Sequence, residues 1–147
     1  MIFHIDINTK ILTPIFSVLN ADSTLQGSTY LNGSLNVFKS KAPRDLPDHC
    51  LLIEDVGITD DDTSQWMGEV RVHIISELLS NGQIDVSRMS RIQSRVQELL
   101  VNEILTVSGA VWMPVESRGT IGPFNDRDMG NKARGVQRLW VNVGTND

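Results

Sequence analysis

One amphipathic segment constrains the fold of this chain more than any other. Its apolar residues recur at about 100° per residue and so line one side of a helix; they are Met89, Ile92, Val96, Leu99, Leu100 and Ile104. Asp85 or Ser87 can cap the helix at its start. The opposite side carries Arg88, Arg91, Arg95, Glu98 and Asn102. The pattern predicts a long helix with one buried side, whose arginine row is either solvated or meets an acidic partner.

Strand patterns lie on both sides of this helix. Residues 49–56 are apolar on both alternating faces at their centre, which predicts a strand inside a sheet. Residues 70–74 and 139–143 alternate apolar and polar side chains, as strands with one solvated face do. Residues 110–115 predict another strand, ended by Pro114 and the glycines that follow.

The N-terminal part of the chain predicts a helix followed by a hairpin. The helical spacing is carried by Ile11, Leu12, Ile15, Phe16 and Leu19. This helix ends near Asn20, and it begins either with Thr13 as N-cap before Pro14 or as a longer, kinked helix from Asn8. The pair Asn32-Gly33 between two extended-looking runs predicts a β-hairpin over residues 28–38.

Three polar segments predict connections. Residues 39–47 contain two prolines and alternating charges, and residues 57–64 form an acidic, turn-rich stretch. Residues 116–132 contain three glycines and Pro123 and predict a long polar loop, a kind of loop that often carries function.

This order of elements predicts an α+β fold. We expect a mostly antiparallel sheet of four to five strands with two helices packed on one face. At 147 residues the chain is expected to form a single domain, residues 1–147. The helix-free face of the sheet is expected to display Glu69, Arg71 and His73 beside Arg138, Trp140 and Asn142.

Composition narrows the classes of partner. The net charge of -5, without a basic tract, argues against a surface that collects phosphates or anionic lipid. The single cysteine, Cys50, allows no internal disulfide. No apolar run approaches the roughly 20 residues that cross a bilayer, so no membrane contact is expected. The protein is expected to be made in the cytoplasm.

The sequence offers no convergent catalytic or metal-binding pattern, so neither an enzyme nor a cofactor is expected. The three histidines are far apart and lack the spacing of metal ligands. Asp60, Asp61 and Asp62 lack the other positions of a calcium loop and are interpreted as a solvated turn. A metal-dependent nuclease using Glu54, Asp55 and the same aspartates is an alternative, although no basic DNA track accompanies them.

Two surface features are candidates for contact with a protein. Trp140 lies on the polar phase of its strand, which suits an interface residue, or a core residue if both sheet faces are covered. Residues 125–128 mix charges of both signs, which suits contact between identical subunits or simply solubility.

Several short landmarks together resemble a known family. They are Val18-Leu19-Asn20-Ala21-Asp22, Val37-Phe38, Ala42-Pro43, Leu46-Pro47, Cys50-Leu51-Leu52-Ile53, Glu69-Val70-Arg71-Val72 and the helix after Asp85. In this order they resemble the small tail-completion, or tail-terminator, proteins of tailed bacteriophages. The resemblance implies a virion protein that forms a hexameric ring, caps the finished tail tube and joins it to the head connector. DNA would pass through such a ring without being read.

A ring of identical subunits needs one patch to meet a different patch on the next copy. We expect the acidic turn and the segment 119–132 to lie at contacts with neighbouring copies, tube or connector. The candidate contact residues are Asp60, Asp61, Asp62, Arg118, Asp126, Arg127, Asp128, Lys132 and Trp140. A head-closure or neck protein of the same junction, or a monomeric adaptor that binds a host protein around Trp140, would fit the same sequence.

Overall fold

The computed structural model describes residues 6–34, 36–41, 43–60 and 65–145, and its centre is a mixed sheet. The strands are β1 (Val37–Lys39), β2 (His49–Asp55), β3 (Thr59–Asp60), β4 (Gln65–Glu77), β5 (Thr106–Val107), β6 (Ala110–Trp112), β7 (Glu116–Asp126) and β8 (Lys132–Thr145). Their order is β1-β2-β4-β8-β6-β5, with β3 beside β4 and β7 beside β8. β4 and β8 pair along almost their full length, from Gln65 opposite Gly144 to Glu77 opposite Lys132.

The sheet is larger than the four to five mostly antiparallel strands predicted. Eight strands form within the described residues, and β1 pairs with β2 in parallel. The α+β class and the internal position of β2, between β1 and β4, are confirmed. The strands β3 and β5, which were not predicted, have two residues each, too few to show an alternating pattern in the sequence.

The predicted hairpin over residues 28–38 does not form, and only the end of its second run is extended, in β1, which pairs with β2 instead. The segment instead closes on itself through turns, in which Leu31 N donates to Leu25 O (2.9 Å) and Gly33 N to Gln26 O (3.0 Å). Leu25 and Leu31 are both buried in the core. Asn32 has a φ of 55°, so the Asn-Gly pair does serve a turn, but the turn does not join two paired strands.

The predicted loop over residues 116–132 is also wrong for most of its length. β7 pairs antiparallel with β8, and only the 3-10 turn Arg127–Met129 and its neighbours connect them. The register shifts between Ser117 and Thr120 and again between Ile121 and Phe124. Gly119 and Gly122 lie within these irregular stretches with φ values of 95° and 85°, which glycine adopts most easily. The glycines at these bulges give β7 the composition of a loop, and for this reason the sequence did not predict a strand.

The long helix is confirmed as α2 (Val86–Leu100). Asp85 caps it by accepting a hydrogen bond from Arg88 N at 3.1 Å. Its buried residues are Met89, Ile92, Val96 and Leu100. Ile104, which the pattern also placed on the helix, lies beyond its end and is 62% exposed.

The first helix follows the longer of the two predicted courses. A π-helical turn, Asn8–Leu12, runs directly into α1 (Thr13–Asn20). Thr13 keeps helical backbone angles, and its N–H donates to Asn8 O, five residues back. Thr13 is therefore inside the helical segment and does not cap it, and the wider turn lies just before Pro14.

Both helices pack on the same face of the sheet, as predicted. Gln97 of α2 donates to Gln137 of β8 at 2.8 Å. Lys39 of β1, opposite Ile53 in the register, reaches Thr13 of α1 at 2.7 Å. The core lies between this face and the helices. Within the described residues, no helix is both long and apolar enough to span a membrane.

Candidate functional site

The helix-free face of the sheet carries the polar row that the alternation predicted. Glu69 lies opposite Trp140, Arg71 opposite Arg138, and Met67 opposite Asn142. Their side chains share one face because register partners point to the same side of a sheet. This prediction is confirmed except for His73, which was expected to be displayed but is buried, at 5% exposure, beside Glu54.

Glu69 is the centre of an ion-pair network on this face. It accepts from Arg71 Nε at 2.6 Å and from Arg138 Nη2 at 2.8 Å. Burial opposes ionisation of Glu69, but the hydrogen bonds from the two arginines outweigh it and hold its pKa below the usual value. Two positive charges thus converge on one carboxylate, which fixes the middle of the face.

Trp140 is covered by an arginine of its own chain. The guanidinium of Arg118, on β7, stands 4.7 Å from the centroid of the Trp140 ring. The indole is half-buried, and Arg118 is exposed. Trp140 is therefore neither a bare surface aromatic nor a core residue, and Arg118 would have to move before a partner could contact the covered ring face.

Two histidines and the cysteine are buried. His73 Nε2 lies 3.1 Å from Glu54 Oε1, and burial lowers the pKa of His73 although Glu54 opposes this. His49 Nδ1 lies 2.8 Å from Ser76 Oγ. Burial raises the pKa of Cys50 to about 11, so its thiol stays protonated and serves as packing. His4 lies outside the described residues.

The described residues do not bring together the metal ligands that the nuclease alternative requires. The described residues contain no cluster of three or more His, Cys, Asp or Glu side chains able to hold a metal. Glu54 is paired with His73, and Asp55 and Asp60 are exposed. Asp61 and Asp62 lie outside the described residues.

The candidate contact residues fall into three separate places. Asp60 is exposed in β3, opposite Trp66 of β4. Arg118 and Trp140 lie together on the helix-free face. The remaining four form a third group around the turn between β7 and β8, and they are Asp126, Arg127, Asp128 and Lys132.

Two members of this third group, Asp126 and Lys132, form ion pairs within the chain. Asp126 is buried and lies 3.0 Å from Arg134 Nε, and its other oxygen accepts from Asp128 N at 3.0 Å. Lys132 Nζ lies 3.8 Å from Asp48 Oδ1, whereas Arg127 and Asp128 are exposed. Asp60 and Lys132 are held by opposite ends of β4, at Trp66 and Glu77, so about 35 Å of strand separates them.

The arginine row of α2 meets an acidic group within the same chain. Arg95 donates to both oxygens of Asp22, at 3.0 and 2.7 Å, and its hydrogen bond lowers the pKa of Asp22. Arg88 donates to Ser28 O and Tyr30 O. The row therefore binds the segment 22–30 to the helix and is largely occupied.

An exposed apolar cluster was not predicted. β5 and β6 form a hairpin in which Thr106 lies opposite Val111, and Asn102 N donates to Val115 O at 2.7 Å, so Ile104 lies near Met113. Ile104, Val111 and Met113 are 62%, 51% and 50% exposed. We call these three residues the apolar ridge. The sequence does indicate this exposure, because Val111, Trp112 and Met113 are all apolar although successive residues of a strand point to opposite faces.

The ridge continues the helix-free face of the sheet. Trp112 lies opposite the buried Val143 and is 3% exposed, so its side chain points to the helix side. Val111 and Met113 therefore point the other way. Met113 N donates to Asn142 O at 2.9 Å, which places the ridge directly beside the polar row.

Comparison with known proteins finds similarity in three-dimensional structure. No protein-family model matches the chain, and a search of curated proteins gives no match. A protein from the virion of a native gene transfer agent particle superimposes with a TM-score of 0.74 at 14% sequence identity, over 96% of this chain and 99% of that chain. A second solved structure, known by a sequence identifier alone, gives a TM-score of 0.61 at 15% identity, over 92% and 95%. The chain thus shares its fold with a protein of a gene transfer agent virion.

Proposed function

We propose that this protein is a structural virion protein of a tailed bacteriophage or a phage-like particle. It forms a ring, most simply a hexamer, at the head-proximal end of the tail tube. The ring ends tail assembly and joins the tail to the head connector. Its partners are further copies of itself, the tail tube protein and a connector or neck protein.

The fold shared with a gene transfer agent virion protein carries this proposal. The similarity extends over nearly the whole of both chains, so it includes the helices, the sheet and the connections. The sequence landmarks resemble tail-completion proteins, which belong to the same class of phage-like particle. Two independent kinds of similarity therefore support a virion protein, and the landmarks alone support its position at the end of the tail.

The charges of the helix-free face suit contact between proteins. Glu69 is paired with Arg71 and Arg138, and Asp126 with Arg134. Because these charges are already neutralised within the chain, covering the face with a neighbour leaves few unpaired charges to desolvate. The same pairing leaves few free arginines for phosphate contacts, which suits a ring that DNA passes without being read.

The separated contact groups suit a protein that bridges two partners. Asp60 of β3 and the group formed by Arg127, Asp128 and Lys132 lie at opposite ends of β4 and β8. A subunit that stands between tube and connector needs a different surface at each end. We assign one group to each partner, with neighbouring copies meeting between them.

Deleting the gene from the particle that encodes it tests the proposal. A tagged copy supplied in trans should appear at the head–tail junction in electron micrographs. Without the protein, tube polymerisation has no stop, so overlong tails and unjoined heads are expected. Normal particles that carry no label would refute the virion role.

Tail length separates this role from that of a head-closure or neck protein. If tails in the deletion strain have normal length but do not attach to heads, the protein acts on the head side of the junction. The matched control is the same strain complemented with the untagged wild-type gene, which should restore tail length and joining together.

A further inference from the structure

The first of the two bulges in β7 surrounds the arginine that covers Trp140. Its two inserted positions, Arg118 and Gly119, lie opposite a single residue of β8. The regular pairing is interrupted here, and Gly119 N donates to Ser117 Oγ at 3.3 Å. We call residues 117–119 the first bulge. Bulges of this kind commonly redirect a side chain, and the central side chain of this one is Arg118.

A buried glutamine of β8 holds both ends of the first bulge. Gln137 Nε2 donates to Ser117 Oγ at 3.1 Å and to Gly119 O at 3.4 Å, and it also lies 3.0 Å from Arg138 O. On its other side, Gln137 Oε1 accepts from Gln97 Nε2 of α2 at 2.8 Å. A carbonyl oxygen can only accept, so the contact with Gly119 O fixes which end of the Gln137 amide faces the bulge.

The contacts of the Arg118 side chain do not by themselves explain its position. It stacks on Trp140 and lies 3.3 Å from Glu116 Oε2, and both charged side chains are largely exposed. Exposed ion pairs and exposed cation–π contacts are each weak. The backbone on either side of Arg118 is held by the buried Gln137, so the backbone restricts where its side chain can reach.

We propose that Gln137 is a positioning residue, which keeps Arg118 over Trp140 by holding the first bulge. Gln137 faces the helices, whereas Trp140 lies on the opposite face of the sheet. A hydrogen-bond network on the helix side therefore sets how much of an aromatic ring is accessible on the helix-free side. A protein that contacts the covered face of Trp140 has to displace Arg118 against this network. The inference does not depend on the proposed role in the tail.

Quenching of tryptophan fluorescence by acrylamide tests the inference, because acrylamide is uncharged and its approach is not altered by losing the charge of Arg118. Gln137→Met keeps a side chain of similar length and removes the hydrogen bonds to the first bulge. It should raise quenching by about half or more of the increase that Arg118→Ala produces. Combining the two substitutions should give no more quenching than Arg118→Ala alone, because both act through the same contact.

A second pair of variants changes only an exposed side chain. Ser117→Ala removes the hydroxyl that accepts from both Gln137 and Gly119, so it should also raise quenching. Ser117→Thr keeps a hydroxyl and is the matched control, with quenching at the wild-type value. Because Ser117 is exposed, this pair decides the matter even if Gln137→Met does not fold.

Two further controls separate positioning from a general loss of stability. Gln97→Met removes the hydrogen bond on the helix side of Gln137 and leaves those to the first bulge, so stability should fall while quenching stays unchanged. In a Trp140→Phe background, the increases caused by the other variants should disappear. Wild-type quenching in Ser117→Ala, an equal increase in Gln97→Met, or an increase that persists without Trp140 would each overturn the inference.

Discussion

Replacing Gly68 by alanine should destabilise the protein far more than one methyl group ordinarily does. Gly68 lies in β4 where the connection between β2 and β3 crosses close to the sheet. A Cβ at this position would lie 2.2 Å from Gly57 O and 2.7 Å from Ile58 Cα. Both atoms belong to the backbone, so no side-chain rotation can relieve the overlap.

The size of the effect follows from what must move. Ordinary contact begins at 3.4 Å, so the crossing segment has to retreat by about 1 Å. This strains the hydrogen bond from Val56 N to Glu69 O and the pairing of β3 with β4. Losing two of these bonds at about 1 kcal/mol each, with about 1 to 3 kcal/mol for overpacking, gives roughly 3 to 5 kcal/mol. The melting temperature should fall by roughly 10 °C.

Gly135→Ala is the matched control in the neighbouring strand. A Cβ there would lie 3.5 Å from Met89 Cε, an ordinary contact with a flexible side chain. Its unfolding free energy should stay within about 1 kcal/mol of the wild type. Urea denaturation of the three proteins measures the difference. If Gly68→Ala and Gly135→Ala are equally stable, the inference that the backbone of residues 57 and 58 leaves no room for a Cβ at Gly68 is refuted.

Three further predictions concern particular side chains. Arg118→Ala should uncover Trp140, so iodide should quench tryptophan fluorescence more strongly, while stability falls by no more than about 1 kcal/mol; unchanged quenching would contradict the stacking. The pKa of Asp22 is held below its usual 3.8 by Arg95, so its contribution to stability is present above that pH and lost as pH falls through the lower folded value. Urea titrations below pH 4 should therefore show a steeper loss for wild type than for Asp22→Asn, and parallel curves would refute the pairing. Cys50 should react with a thiol reagent at pH 8 only after denaturation, since it is buried with a pKa of about 11; rapid labelling of native protein would contradict its burial.

Regular periodicity made the main elements predictable. α2 repeats its apolar side at helical spacing, β4 and β8 repeat theirs at strand spacing, and β2 is a short run that is apolar on both faces, so each element follows from local sequence. The same alternation placed Glu69, Arg71, Arg138 and Trp140 on one face, because residues opposite each other in paired strands point to the same side of the sheet.

Features that depend on distant pairing were not predictable in this way. β1 is three residues long, and its parallel alignment with β2 is decided by where residues 37–39 meet residues 51–53. Gly119, Gly122 and Pro123 hid β7, because residues typical of loops occupy its bulges. Arg95 pairs with Asp22, which lies 73 residues earlier in the chain, so the periodicity of the helix could not identify its partner.

The irregular edge of β7 has a consequence for how copies of the chain can meet. Ten of its eleven residues are exposed, and its far side pairs with no other described strand. A straight edge of this length would invite another copy to extend the sheet, and such growth has no natural end. The two bulges and Pro123, which offers no N–H, interrupt the spacing that an added strand would need. Pairing of an added strand along this edge is thereby disfavoured, and a protein that meets β7 has to do so through side chains.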